Sequence, residues 1–342
     1  MTVWRWFGSV IGVASLAILA GALVPQAAQG QKDDKKDGDK LVWKAFDPKT
    51  VFYQKLVTNT TQDMKVMGQD IQQKQEQTFF IKWTGQDKNK EGYFVVTQEI
   101  VGVKMKIEIG GNTITYDSSE EKQPANPMSD FFKALLTLKL TLTIDPADMT
   151  VKNIEGQDEF VKKLGGTNPQ MEPLLKNILS KEALQQMAEP TWGALPTKAV
   201  KTGDTWTRKS KLNLGPIGTY ATDFDYKLEK SDGKTDTIGI KATLKYTAPT
   251  DKAGLPFTIK SATLESKEGT GTATFDRAKG RFTKSEMTMK LKGDLKIEVG
   301  GMETDVALDQ SQTATVETQD EPFVKTKEAP KETSKEKEKE KK

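Results

Sequence analysis

The sequence predicts an α+β fold dominated by β structure: long antiparallel strands in a curved or barrel-like sheet, with a helical segment between two strand-rich halves. Three observations predict it. Apolar and polar residues alternate over long stretches on both sides of the middle, the pattern of half-buried antiparallel strands. Glycine pairs and an Asp/Gly turn punctuate those stretches as hairpin connections do. The middle alone replaces the period of two with helical spacing.

Taken in order, the chain opens on "MTVWRW", with Arg5, followed by the apolar run "FGSVIGVASLAILAGALV" and Pro25. Ala28-Gln29-Gly30 is a small-x-small cleavage pattern, so residues 1–30 read as a signal peptide and the mature chain starts near Gln31. The run also approaches membrane-spanning length, which leaves an uncleaved anchor as the alternative; the small-residue site behind it favours cleavage. No cysteine follows the run, which excludes a bacterial lipid-modified N-terminus, and there is no twin-arginine pair. The expected location is therefore outside the cytoplasm, periplasmic or extracellular in a bacterial host, with no membrane span after cleavage. Residues 31–40, "QKDDKKDGDK", carry no apolar side chain and read as a disordered charged linker.

Residues 41–127 form the N-terminal β half. Val101, Val103, Met105, Ile107 and Ile109 share one face of "VGVKMKIEI", and Gly110-Gly111 supplies the positive φ of a tight hairpin. Residues 128–190 form the helical middle with one strand. Ser129 is placed as the N-cap of "SDFFKALL", and Leu138, Leu140, Leu142 and Ile144 line one side of the strand "LKLTLTID". Asn168-Pro169 opens a helix as cap and first-turn proline, with Met171, Leu174, Leu175 and Ile178 on its apolar face. Ser180 starts another helix through Leu184 and Met187, and Pro190 is expected to stop it.

Residues 191–324 form the C-terminal β half. Tyr220, Thr222, Phe224, Tyr226 and Leu228 share one strand face, and Ile238, Ile240, Ala242, Leu244 and Tyr246 another. In "FDRAKGRF", Asp276 bonds its own turn and Gly280 takes the left-handed position. Met287, Met289 and Leu291 form an apolar row with which Phe282 is out of phase, so a bulge is expected between them. Gly300-Gly301 repeats the glycine pair, and "KIE[I/V]GG" occurs at both, as an old duplication or as one turn solution used twice. Residues 325–342 form a disordered Lys/Glu tail with eight lysines and five glutamates, read as a solvated tail ahead of a tether to an anionic surface.

The composition restricts function more than it identifies it. The 342 residues are 35% hydrophobic and include no cysteine and no histidine. A folded body without disulfides is feasible at this size, but the commonest general base and metal ligand are missing. Ser/His/Asp and Cys/His catalytic groupings are therefore excluded. The formal charge of +3 equals that of the tail alone, and the remaining body shows no local basic excess, so nucleic acid is not an expected partner. "YDSSEE" at Tyr116–Glu121 reads as an exposed loop, not a catalytic acid pair. "KDDKKDGDK" lacks the ligand order of a calcium loop, and neither "GGNTIT" nor "GTGTAT" has the context of a phosphate loop. No catalytic, metal or cofactor-binding residue is assigned, no cofactor is expected, and ligand-binding residues are left unknown. Asn59-Thr60-Thr61 is a glycosylation triplet only in a eukaryotic host. Trp206, behind a Gly-Asp turn, is read as a sheet-entry anchor, and Tyr220, Phe224 and Tyr226 as core.

At "LPTKAVKTGDTW" (Leu195–Trp206) and "GTATFDRAKGRFTKSEM" (Gly271–Met287) the chain resembles a family of uncharacterised secreted bacterial β-rich proteins, a domain of unknown function, over residues 45–318. That resemblance implies no activity. More distantly, at the level of fold, the pattern resembles the lipoprotein-carrier half-barrels of bacterial envelopes, in which a curved sheet wraps helices around an apolar cavity. Three functional readings follow in order. A non-enzymatic structural or interaction protein of the envelope stands first. A binding module for an apolar ligand such as an acyl chain comes next, with Met287, Met289 and Leu291 in its lining and the Met171–Ile178 helix as lid. An enzyme without His or Cys chemistry is third. The partners these readings admit are an apolar ligand or an envelope protein; the oligomeric state is open.

Overall fold

The computed structural model describes residues 38–122, 129–167, 172–250 and 257–324. The N-terminal apolar segment, most of the charged linker, Asn168, Pro169, Met171 and the Lys/Glu tail lie outside them. The described residues form β1 (Val51–Val66), β2 (Gln69–Gly85), β3 (Phe94–Ile109), β4 (Asn112–Asp117), α1 (Ser129–Leu135), β5 (Lys139–Ile144) and β6 (Val151–Glu155). Then come α2 (Gln157–Thr167), α3 (Glu172–Ile178), α4 (Lys181–Trp192), β7 (Thr205–Asn213), β8 (Thr219–Ser231) and β9 (Thr235–Thr247), followed by β10 (Thr258–Asp276), β11 (Arg281–Val299) and β12 (Met302–Gln319).

All twelve strands belong to one antiparallel sheet of order β6-β5-β3-β2-β1-β12-β11-β10-β9-β8-β7, with β4 paired to β3 off this path. The sheet curves into a partial ring, and the helices lie between its two strand groups. Its seam is the pairing of the first strand with the last, from Tyr53 opposite Gln319 to Val66 opposite Val306. The two ends of the path, β6 and β7, carry unpaired backbone groups. α4 sits between them: Gln185 Nε2 donates to the Val151 carbonyl of β6 at 3.0 Å, and Gln186 Oε1 accepts the Asn213 N–H of β7 at 2.7 Å. Two adjacent helix residues thus span the gap in the ring.

The alternation read from the sequence becomes the inner face. Tyr220, Thr222, Phe224, Tyr226 and Leu228 are all buried on β8, and Ile238, Ile240, Ala242 and Leu244 on β9. Each large apolar member stabilises the fold by about 1.5–3 kcal/mol relative to exposure. The glycine pairs close two-residue hairpins with positive φ at both positions, 55° and 79° at Gly110-Gly111 and 58° and 85° at Gly300-Gly301. The elements that follow differ in length, six residues in β4 against eighteen in β12. Asp276 Oδ1 accepts the Lys279 N–H at 2.9 Å, and the bulge expected before the Met287 row falls at Thr283, which the β10–β11 register skips.

Four readings change. Val101 leaves its expected face, because the β2–β3 register skips it between Ile100 and Gly102; Ile100 takes the inward phase beyond the bulge. The middle carries two strands, not one: β6 escapes an alternation test because Val151 and Ile154, its buried residues, are three apart and its pairing with β5 is itself irregular. Ser129 is the first residue of α1 and not a cap outside it. Pro190 does not stop α4, which runs on to Trp192. The last turn is held by tertiary contacts that outweigh local propensity, since Trp192 is 2% exposed and its carbonyl accepts the Trp43 indole N–H at 2.7 Å. At the other end of α4, where the sequence reading starts the helix at Ser180, Ser180 Oγ caps the helix by accepting the Ala183 N–H at 3.2 Å.

Candidate functional site

The interior divides into three zones along the strands. The first is a large apolar core in which Trp192, at the end of α4, meets Phe46, Trp83 and Trp43 edge-on at centroid distances of 4.7, 4.9 and 5.6 Å. Trp43 in turn meets Phe275 and Phe282. At the far end, Met64, Val66, Ile259, Ile297 and Val306 make a small separate cluster.

Between them β1, β2 and β12 place polar residues in the inward phase. Thr58, Thr60 and Gln62 stand opposite Gln77, Gln75 and Gln73, and Thr60 and Gln62 also stand opposite Gln312 and Gln310. All eight are buried. Gln62 Nε2 donates to Gln310 Oε1 at 2.6 Å, but Gln62 Oε1, Gln73 Oε1, Gln77 Oε1, Gln312 Nε2 and Thr58 Oγ1 find no hydrogen-bond partner among the described residues. Sequence reading missed this ladder. The signal was present in "DIQQKQEQTFF", where Gln73, Gln75 and Gln77 continue the phase of Ile71 into Phe79.

The first zone encloses a cavity of about 320 Å³ between the inner sheet face and the helices. β1 and β2 contribute Phe52, Leu56, Ile81 and Trp83; β3 and β5 contribute Ile100, Leu138 (just ahead of β5), Leu140 and Leu142. Phe160 of α2 and Leu184, Met187, Ala188 and Trp192 of α4 cover it, and Tyr226, Ile238, Ile240 and Ala273 close the opposite wall. The size lies at the lower end of small-molecule sites, roughly 300–1,000 Å³, and the lining has the mostly apolar character of such sites.

A few polar groups enter this lining. Gln54 is spent on structure: its Oε1 accepts the Trp83 indole N–H at 2.7 Å and its Nε2 donates to Thr318 Oγ1 at 3.3 Å. Arg281 is 3% exposed, with its guanidinium carbon 5.1 Å from the centre of the Phe52 ring. One terminal nitrogen pairs with Asp320, a carboxylate that Lys279 also binds at 2.7 Å. Those hydrogen bonds, Lys279 first, hold the Asp320 carboxyl below its usual range. Arg281 Nε has no hydrogen-bond partner among the described residues, and neither has the indole Nε1 of Trp192. The Tyr226 phenol stays protonated well above its ordinary range because it is buried.

The residues singled out from the sequence fall on both sides of this site. Met287, Met289 and Leu291 are buried in the main core but do not line the cavity; their row lies beside the glutamine ladder. Leu174, Leu175 and Ile178 are buried on α3, yet the cover of the cavity is α4. Trp206 anchors its strand as read, stacked on Tyr226 at 5.5 Å with its indole N–H on the Ala194 carbonyl at 3.0 Å. The exposed loop read at "YDSSEE" begins only at Ser118, because Tyr116 and Asp117 are the last residues of β4 and Tyr116 is buried in the core; Asp117 accepts from Ser119 and pairs with Lys104, and Ser118 Oγ accepts the Val103 N–H. Among the described residues no three metal-ligating side chains cluster, and none of their helices is long and apolar enough to cross a membrane.

Fold and site together define a curved antiparallel sheet closed by helices over an apolar cavity. The chain belongs to a family of unknown function (DUF6263), whose model matches residues 91–321. The match begins later than the span expected from the motifs and includes both of them. No curated protein matches. Among solved structures, one titled for lipid–protein interactions in lipovitellin is similar over 82% of this chain and 26% of its own, at 11% identity and a TM-score of 0.44. This chain thus spans about a quarter of that protein. OccK5 (OpdH) of Pseudomonas aeruginosa is similar over 82% of this chain and 99% of its own, at 7% identity and a TM-score of 0.21. The translocator domain of the autotransporter NalP of Neisseria meningitidis is similar over 91% and 95%, at 6% identity and a TM-score of 0.19. These scores fall short of a shared fold.

Proposed function

We propose that this protein is a non-enzymatic binding module for an apolar ligand with an extended hydrocarbon portion, acting outside the cytoplasm as its N-terminal segment suggests. The observation that carries the reading is the 320 Å³ cavity, lined by apolar side chains from the sheet and from α4. Apolar walls facing such a space leave hydrocarbon surface without packing partners or in contact with water, which is unfavourable by about 25 cal/mol per Å² of apolar surface. A ligand that fills it recovers that loss. The structural or interaction reading retains one support of its own: the Met287–Leu291 row faces core and not the cavity.

Filling the cavity from within separates the two. Ala273 is 4% exposed and lines it. Ala273→Phe is expected to raise the melting temperature of the free protein and to abolish uptake of a sixteen-carbon chain. Uptake is followed through the emission of Trp43, Trp83 and Trp192, all in the lining, and as added mass in native mass spectrometry. A bare mass for the parent chain, with no emission change across a panel of single-chain amphiphiles, leaves the structural protein as the answer.

A further inference from the structure

Apolar walls alone do not require a cation, yet this cavity has one. Arg281 is 3% exposed and lines it, and a guanidinium is a permanent cation with donors fixed in a plane. Such a group is strongly unfavourable in an apolar site unless paired and hydrogen-bonded. Its pairing here is incomplete in two respects. Asp320 is shared with Lys279, so two cations stand on one carboxylate and one positive charge is left over. Arg281 Nε, buried, donates to nothing among the described residues, and the Trp192 indole in the same lining offers a second unused donor. The two buried side-chain atoms of this lining without a partner among the described residues are thus both donors, and beside surplus positive charge they are complementary to an anionic acceptor at the end of an apolar chain.

We propose that the ligand is a long-chain carboxylic acid, bound with its carboxylate on Arg281 and its hydrocarbon chain between β5, α4 and the β8–β9 wall. This deepens the apolar-ligand reading and rests on it. The bond formed is a charge-assisted N–H···O contact; no covalent step is involved.

The test titrates the full chain with hexadecanoate and with 1-hexadecanol, delivered from a cyclodextrin carrier near neutral pH and read by tryptophan emission. The expected result is binding of the acid roughly tenfold or more tighter than the alcohol, the scale of one hydrogen bond to a charged group. Arg281→Gln is expected to remove that preference, weakening the acid roughly tenfold or more and bringing its affinity to that of the alcohol. A melting curve establishes that the variant folds. Should it not fold, Asp320→Asn carries the test, because it releases the guanidinium: the acid is expected to bind several-fold tighter than to the parent chain, and the alcohol equally. Equal affinity for acid and alcohol in the parent chain overturns the carboxylate assignment and leaves the apolar cavity reading standing. So does an unchanged preference in folded Arg281→Gln, or an unchanged affinity in Asp320→Asn. Binding of neither compound overturns both.

Discussion

Single residues on the inner face of the sheet are of two kinds: those that repay burial and those that do not. Gln77 is 2% exposed, its Nε2 reaches only the Met105 sulfur at 3.7 Å, and its Oε1 has no partner among the described residues. An unsatisfied buried acceptor costs about 1–3 kcal/mol. Gln77→Leu is therefore expected to raise stability by about 1 kcal/mol, read as a higher urea midpoint with an unchanged slope; a lower midpoint would mean that the ladder is satisfied by means other than its side chains. Asp236 is the opposite case. It is fully buried, and Arg277 binds both of its oxygens at 2.7 Å while also reaching Asp39 and Ser231. Arg277→Met leaves that carboxylate buried and unpaired, a loss of about 3–5 kcal/mol. Thermal denaturation checks it: a shift of a degree or less would show that water replaces the guanidinium.

Elements differ in how far their neighbours determine them. The hairpins are local, with glycine pairs that make a tight turn wherever they sit. α4 is not. Its sequence contains Pro190 in the last turn, and its length and place are decided by the edges it covers and by the pocket that receives Trp192. Gln186→Ala removes the acceptor for the Asn213 N–H. Hydrogen exchange at that amide is expected to accelerate at least tenfold while β11 and β12 amides hold their protection. Exchange that stays slow would place the closure of the ring elsewhere.

At the scale of the molecule, the sheet cannot close on itself, and the apolar interior depends on the helices to exclude water. Trp192 joins the two: it touches Trp43, Phe46 and Trp83 and lines the cavity. Trp192→Ala is expected to cost about 3–5 kcal/mol and, unlike a loss elsewhere in the core, to open the cavity. Binding of an environment-sensitive apolar dye by the still-folded variant would rise. A stability change under 1 kcal/mol would move the centre of the core away from this cluster.

What the sequence determined by itself is what depends on period and on local turn chemistry. That covers the β-dominated class, the inward rows of β8 and β9, the two glycine hairpins, the Asp276 turn, the bulge before Met287 and the start of α4 at Ser180. It also covers the family resemblance, through the Gly-Asp-Thr-Trp and Phe-Asp…Gly motifs. Alternation says which side of a strand faces inward, but not what stands across from it. The cavity, the glutamine ladder and the place of Arg281 are products of register between strands as far apart in sequence as β1 and β12. Only the tertiary structure decided these, because closing a ring places side chains by pairing partners that no local window contains.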